Sequence, residues 1–348
     1  MIPLHPRQYR IVAGAALVGA VIGIAYALVR FSFAWDTMAR ASIIGGAISG
    51  LLVYGELVER AHPFLAALRR LPFALYLLVR TLLRLAAIVT IMLAVRILIP
   101  IDDAPFGEGL AFDAVFALVV AALISLVFEI DRLLGQGTLW RLLIGRYHTP
   151  RIEARAFLVL DLEGSTAIAA RIGPERFLAL LDHLTAVMSP AYVAHRGEVY
   201  RYVGDATIVS WPLDVAIEDA RILRCLADAV GRLVAAREAC ERRFGVAPSG
   251  RAALHAGPVA VGEIGDVKRE ITFLGDTLNT VSKMEKFAAD RSLRGVISGD
   301  LLERLTLPPD FGVKDAGTLE LPGRAQALPM FALDFRPVAP RRLFRRSG

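Results

Sequence analysis

Residues 11–29 are 19 consecutive uncharged residues, and no other feature limits the chain's options so tightly. As a helix, such a run is about as long as the hydrocarbon core of a bilayer is thick. It lacks the small-residue cleavage pattern of a signal peptide, so it reads as a retained span. Three more apolar stretches precede residue 145. They cover about 41–55, ending before Glu56; 82–101, carrying Arg84 and Arg96; and 109–128, with Asp113 near its start. Buried core helices are the competing explanation for the second and third.

The connections argue for four spans. Residues 101–108 are acidic and contain neither Lys nor Arg, whereas the N-terminus carries Arg7 and Arg10 and the second connection carries Arg60, Arg69 and Arg70. The positive-inside rule then places the N-terminus, the second connection and everything after residue 130 in the cytoplasm. The first connection, with Arg30, Asp36 and Arg40, is uninformative. Arg84 and Asp113 read as side chains reaching toward the interface.

Composition agrees. Of 348 residues 55% are apolar and 21% charged, and the mean hydropathy is +0.52, which excludes a disordered or fibrous chain. The net charge of +6 comes from 36 Arg and 4 Lys against 34 acids. The basic residues sit at the ends of apolar runs and in a final cluster, Arg341, Arg342, Arg345 and Arg346. That distribution points to a lipid surface, not a nucleic acid. Two cysteines, Cys225 and Cys240, exclude a disulfide scaffold.

The expected organisation is a four-helix transmembrane domain (1–130), a linker (131–152), a soluble α+β domain (153–336) and a basic tail (337–348). Trp140 and Arg141 of the linker belong either to a signal-transmitting segment or to an ordinary interfacial helix, and the tail either touches anionic lipid or is solvated. In the soluble part, a buried strand is expected at 154–162, then helices to Val193. A hairpin follows over 198–203 and 206–211, pivoting on Gly204-Asp205. A long helix spans 216–244, strands cover 250–262 and 270–274, and a helix covers 277–288. This order suggests a ferredoxin-like βαββαβ core.

Two acids carry the chemistry. Asp161 ends a strand just before Leu162-Glu163-Gly164-Ser165-Thr166, which opens a helix. Asp205 lies in the hairpin turn. A ferredoxin-like sheet can set that hairpin beside the first strand, and two close carboxylates repel unless a cation lies between them. Taken singly, each is an ordinary cap or turn residue. There is no Gly-x-x-x-x-Gly-Lys-[Ser/Thr] phosphate loop. The six histidines show no metal-ligand spacing, and His255, on a strand, reads as structural.

Three strings make the reading specific: Phe157-Leu-Val-Leu-Asp-Leu-Glu-Gly-Ser-Thr166, Tyr200-Arg-Tyr-Val-Gly-Asp205 and Phe273-Leu-Gly-Asp-Thr-Leu-Asn-Thr-Val-Ser-Lys-Met-Glu285. In content, order and separation they resemble the class III nucleotidyl cyclases, over roughly residues 150–335. The four-span N-terminus and the segment Gly145-Arg-Tyr-His148 resemble bacterial membrane-bound members. The resemblance implies a multi-pass protein of the bacterial inner (plasma) membrane with a cytoplasmic catalytic domain. It further implies conversion of ATP to cyclic AMP and pyrophosphate, and no nucleic-acid partner.

By the same resemblance, Asp161, Asp205 and the Leu162 backbone hold two Mg²⁺ or Mn²⁺ ions. Gly164, Ser165 and Thr166 receive the phosphates, and Asn279 holds the ribose. Lys283 stands where the family has its transition-state arginine. Arg201 and Thr272 read the purine, and Arg324 meets the terminal phosphates. The metal acids come from one protomer and the Asn279–Lys283 helix from the other, so the implied enzyme is a homodimer. Arg201 and Thr272 depart from the usual Lys and Asp and leave adenine and guanine both open. Lys283 lacks the planar fork of arginine, which keeps open a nucleotide-binding receptor without turnover. A transporter has little room for a substrate path between four short spans.

Overall fold

In a computed structural model, residues 6–30, 35–61, 71–98, eleven positions between 115 and 130, 145, 147–267, 269–323 and 326–338 are described. Contacts divide the chain into two units, Met1–Ile130 and Asp131–Gly348.

The first unit is helical: α1 (Pro6–Arg30), α2 (Trp35–Ala61), α3 (Phe73–Leu98), and helical residues between 115 and 130. Small residues let α1 and α2 touch backbone to backbone. A Cβ added at Gly19 would collide with the Gly45 carbonyl and the Ser49 side chain, and one at Gly23 with the Ala41 carbonyl. That is the close packing by which helices associate where burial of apolar surface supplies no drive. Leu17, Val18, Val21, Ile43 and Leu51 of α1 and α2 and Leu78, Leu82 and Leu83 of α3 face outward. The helices outrun the apolar stretches seen in sequence. α3 starts nine residues earlier than expected because Arg80 and Arg84 are taken inward, at 5% and 8% exposure. Arg80 donates to Glu129 at 3.0 Å. Arg84 is therefore buried among helices and does not reach outward. Asp113 lies outside the described residues, as do Trp140, Arg141 and Arg341 to Arg346.

The second unit is one mixed sheet with helices on both faces. Its longer elements are β1 (Arg151–Leu162), α4 (Ser165–Ile172), α5 (Pro174–Ala194), β2 (Glu198–Val203), β3 (Ala206–Pro212), α6 (Arg221–Phe244), β4 (Gly250–Ile264), β5 (Glu270–Leu274), α7 (Asp276–Asp290), β6 (Gly295–Ser298), β7 (Phe311–Leu319) and β8 (Leu328–Phe335), with short helical turns at Leu213–Ile217, Glu218–Ala220 and Gly299–Leu302. The strand order is β2-β3-β1-β4-β6-β8-β7, with β5 on the far end of β4. The neighbours β2-β3-β1-β4 are all antiparallel, the ferredoxin-like arrangement expected.

Alternation along β1 sorts the core. Leu158 and Leu160 pack with Leu180 and Leu184 of α5 and Leu223 and Leu226 of α6. Phe157 and Val159 point the other way, against Val281 and Met284 of α7. Among the described residues, three helices are long and apolar enough to cross a membrane, Val12–Val29, Thr37–Gly55 and Pro174–Ala194. The last is α5, whose Leu180, Leu184, Met188, Ala191 and Tyr192 are buried in this core.

Two expectations change. The helix foreseen over 216–244 breaks at Asp219 and Ala220, with φ of 53° and 49°. Arg221 and Arg224 satisfy the freed carbonyls of Val215 and Asp219 at 3.1 and 2.8 Å. Strands β6 to β8 were not foreseen: β6 has four residues, and β7 is largely exposed, so neither shows a periodic signal. His255 is buried against Ser298 at 2.8 Å, a structural position, and both cysteines are buried and free.

Candidate active site

Register brings the two acids together. β1 and β3 pair from Arg155↔Pro212 to Leu160↔Thr207. One further step faces the β1 terminus, Asp161-Leu162, with the hairpin tip Asp205-Ala206. The tip itself turns at Gly204, whose φ of 62° favours glycine. Asp161 is pushed up to about 7, first by burial, then by the Asp205 carboxylate and more weakly by Glu285; the Leu162 backbone N–H pulls the other way. The Asp205 Oδ2 atom is buried with no hydrogen-bond partner. Asp161, Leu162 and Asp205 line one cavity of about 20 Å³, room for a water-sized group.

This donor set fits a hard divalent cation: two carboxylates, a nearby backbone carbonyl, and a buried oxygen with nothing yet to bind. Among the described residues no cluster of three His, Cys, Asp or Glu side chains offers a richer site. Gly164, in the left-handed conformation at φ 70°, caps α4 without a side-chain bond. The first N–H groups of α4, at Ser165 and Thr166, therefore begin beside the acids with no side chain capping them, a setting that favours anions.

A second group lies against α7. Arg201, Tyr200, Val159, Ile208, Asn279, Ser282 and Glu285 line a cleft of about 310 Å³. Thr272, on β5, is buried with its hydroxyl unpartnered. Arg201 donates to Glu270, two residues before Thr272 on the same strand face. Lys283 is exposed one turn beyond Asn279. Arg324 lies outside the described residues.

Matched against known families, residues 148–334 fit the adenylate and guanylate cyclase catalytic domain. The chain belongs to this cyclase family. It is 38% identical over 219 residues, 63% of its length, to adenylate cyclase 2 of Rhizobium meliloti (strain 1021), and that match spans 60% of the relative. It is 29% identical over 135 residues to the rat guanylate cyclase soluble subunit beta-2, covering 38% of this chain and 19% of that one. Among solved structures, a bacterial light-regulated adenylyl cyclase shares the fold with a TM-score of 0.52 at 15% identity, over 68% of this chain and 72% of that one. The chain thus spans less than two thirds of the length of the curated relatives it matches.

Several residues around these two groups lie outside the candidates that the sequence offers. Glu285 touches both groups: it lines the Asn279 cleft and raises Asp161. Arg251, opposite Asp161 on β4, reaches Glu163 at 3.6 Å and Glu285 at 3.5 Å. Arg155 is buried at 2% exposure. One signal for it is present, a basic residue inside a strand run, 154–162, whose one other charge is Asp161.

Proposed function

We propose that the protein is a membrane-bound adenylate cyclase that converts ATP to 3′,5′-cyclic AMP and pyrophosphate at sites shared between two copies of the chain. The observation that carries this reading is the Asp161–Asp205 pair. Two carboxylates held together in a partly buried site destabilise the fold until a cation separates them, and here they adjoin the uncapped start of a helix.

In this reading Asp161, Asp205 and the Leu162 carbonyl hold two Mg²⁺ or Mn²⁺ ions. Bound there, the ions supply charge neutralisation at the triphosphate and acidify the ribose 3′-hydroxyl. The backbone N–H groups of Gly164, Ser165 and Thr166 receive phosphate oxygens, and Arg324 meets the terminal phosphates. Asn279 fixes the ribose so that its 3′-oxygen lies in line with the α-phosphorus. The 3′-hydroxyl gives its proton to solvent water as the new O–P bond forms, the bond to the β-phosphate breaks, and pyrophosphate leaves. Lys283 offers its charge to the oxygens around the α-phosphorus. Arg201 donates to N1 of adenine, and the Thr272 hydroxyl accepts from the adenine amino group. A second reading, GTP as substrate, is favoured by the Glu270 carboxylate beside Arg201, which suits the N1–H and N2–H donors of guanine.

A homodimer is supported by the apolar rim around the base cleft. Tyr202, Val203, Ile264, Val267 and Leu274 are all more than half exposed, a surface suited to burial by a second copy. The membrane part comprises residues 1–130 in four spans, with the lipid-facing side chains of α1, α2 and α3 outward. Residues 131–152 link it to a cytoplasmic catalytic domain at 153–336, and 337–348 form a basic tail.

The test is to incubate the full-length protein with ATP or GTP and Mn²⁺ and to measure cyclic nucleotide. Cyclic AMP that falls about a thousandfold in Asp161→Ala, the scale of losing metal assistance, is the expected result. Activity unchanged in Asp161→Ala overturns the metal assignment. Binding of nucleotide without product replaces the enzyme with a receptor.

A further inference from the structure

Among the described residues of the catalytic domain, Arg155 is the one Lys, Arg, Asp or Glu that is fully buried. A buried charge is tolerated only where it is paired and hydrogen-bonded, and Arg155 is paired through both Nη atoms while its Nε has no partner. Its Nη1 donates to Glu153 at 3.1 Å, and its Nη2 donates to Glu198 at 2.8 Å and to the Ser210 hydroxyl at 3.1 Å. Its guanidinium lies over the Phe273 ring at 4.7 Å.

Phe273 leads to the base-reading residues. Its ring packs on Tyr200 with centroids 4.5 Å apart, and its backbone N–H donates to the Tyr200 hydroxyl at 3.3 Å. Tyr200 and Phe273 are the chain neighbours of Arg201 and Thr272. These two come from strands that share no ladder: β2 pairs with β3 at one edge, β5 with the far end of β4. No ladder of backbone hydrogen bonds therefore joins Arg201 directly to Thr272. The Arg201–Glu270 pair spans the gap, but both side chains are about two-fifths exposed, and exposed pairs hold geometry weakly. The buried connection is Tyr200 on Phe273 on Arg155.

The same network reaches the segment by which the chain enters the domain. Tyr147 is 3% exposed, and its hydroxyl donates at 3.3 Å to Oε1 of Glu153, whose Oε2 accepts from Arg155. The Tyr147 carbonyl accepts from the Glu263 N–H at 3.1 Å, and His148 lies 3.1 Å from the Glu263 carboxylate.

We propose that Arg155 is a positioning residue for base recognition, fixing Arg201 against Thr272 through Phe273 and Tyr200, and that Tyr147 ties the lead-in segment to that arrangement. The inference rests on the cyclase reading above for the identity of the base site. It makes the discrimination between purines depend on a side chain that never touches the nucleotide. It also makes the anchoring of residues 147–150 a variable that the base site reads.

The experiment compares full-length wild type with Tyr147→Phe and Arg155→Lys, measuring kcat and KM for ATP and for GTP alongside melting temperature. Lysine keeps the charge but cannot span Glu153, Glu198 and Ser210 as the guanidinium does. Arg155→Lys is expected to raise KM for the preferred nucleotide about tenfold, the scale of losing hydrogen bonds to a charged group, and to narrow the ATP-to-GTP ratio. Tyr147→Phe, which removes one hydroxyl, is expected to act in the same direction by about two- to fivefold. A role confined to stability lowers the melting temperature and leaves KM and the ratio alone; that result, or a loss in kcat at constant KM, overturns the proposal. If Arg155→Lys does not fold, Tyr147→Phe decides alone. If wild type binds nucleotide without turning it over, the cyclase reading fails, and the same variants are compared by the rise in melting temperature that ATP and GTP produce. A changed ATP-to-GTP difference then supports the inference, and an unchanged one overturns it.

Discussion

The guanidinium of Arg201 on β2 donates a hydrogen bond to the carboxylate of Glu270 on β5, and this contact pairs an acid with the arginine that lines the Asn279 cleft. Releasing either partner has a different chemical outcome. Glu270→Gln loosens Arg201 and is expected to raise KM for ATP about two- to fivefold, as for an exposed pair, with kcat little changed. Arg201→Gln leaves Glu270 open to guanine's N1–H and N2–H and is expected to raise the share of cyclic GMP. Initial rates with the two nucleotides check both, and an unaltered product ratio in Arg201→Gln removes Arg201 from the base site.

Lys283 is exposed on α7, one turn from Asn279; in the proposed cyclase it supplies a point charge where a planar fork would bind two phosphate oxygens. Lys283→Arg is expected to raise kcat up to about tenfold without lowering KM, since the added contact forms mainly in the transition state. Lys283→Ala is expected to cost about 10²–10³ in kcat. Steady-state kinetics on both variants separates this role from simple nucleotide binding, which would move KM instead.

Asp161 holds its proton to about pH 7 in the folded protein, while a carboxyl in the unfolded chain releases it near about 4. The folded pKa is the higher one, so the stabilising effect of holding the proton is complete below about pH 4 and is lost as pH rises to about 7. Without metal, wild type should therefore lose melting temperature between pH 4 and 7 relative to Asp161→Asn. Adding Mn²⁺ at pH 8 should restore it in wild type and do less in the variant. Parallel melting curves across this range would contradict the repulsive pair.

At Gly231 the chain near its C-terminal end crosses α6. The Val338 N–H donates to the Ala227 carbonyl at 3.0 Å, and a Cβ on Gly231 would collide with the Val338 carbonyl. Gly231→Ala is expected to destabilise the protein by about 1–3 kcal/mol, the usual cost of overpacking, despite alanine's better helix propensity. Chemical denaturation of the full-length chain measures this, and an unchanged midpoint would mean that the crossing is not held.

How much could be read beforehand follows from the range of each signal. The hairpin at Gly204-Asp205 and the turn at Gly164 announce themselves locally, because both need glycine or a short polar side chain at a positive φ. The alternation of Phe157, Leu158, Val159 and Leu160 between two cores is likewise written in one strand. Arg155, Arg251 and Glu285 were missed because their partners lie 43, 88 and 124 residues away, in Glu198, Glu163 and Asp161, and no periodicity encodes such pairings. α3 was cut short for a related reason: a hydropathy window stops at Arg80, whereas Glu129, 49 residues on, lets that charge stay inside.

In the proposed enzyme two copies of the chain build each site, one giving Asp161 and Asp205, the other Asn279 and Lys283. The direct measurement is to mix full-length Asp161→Ala with full-length Lys283→Ala, after dissociation and reassociation, and to assay cyclic AMP. Each variant alone should be nearly inactive. Random reassociation makes half the dimers mixed, each with one intact site of two, so the mixture should regain about a quarter of wild-type activity. A mixture no more active than its components would contradict a site shared across the dimer.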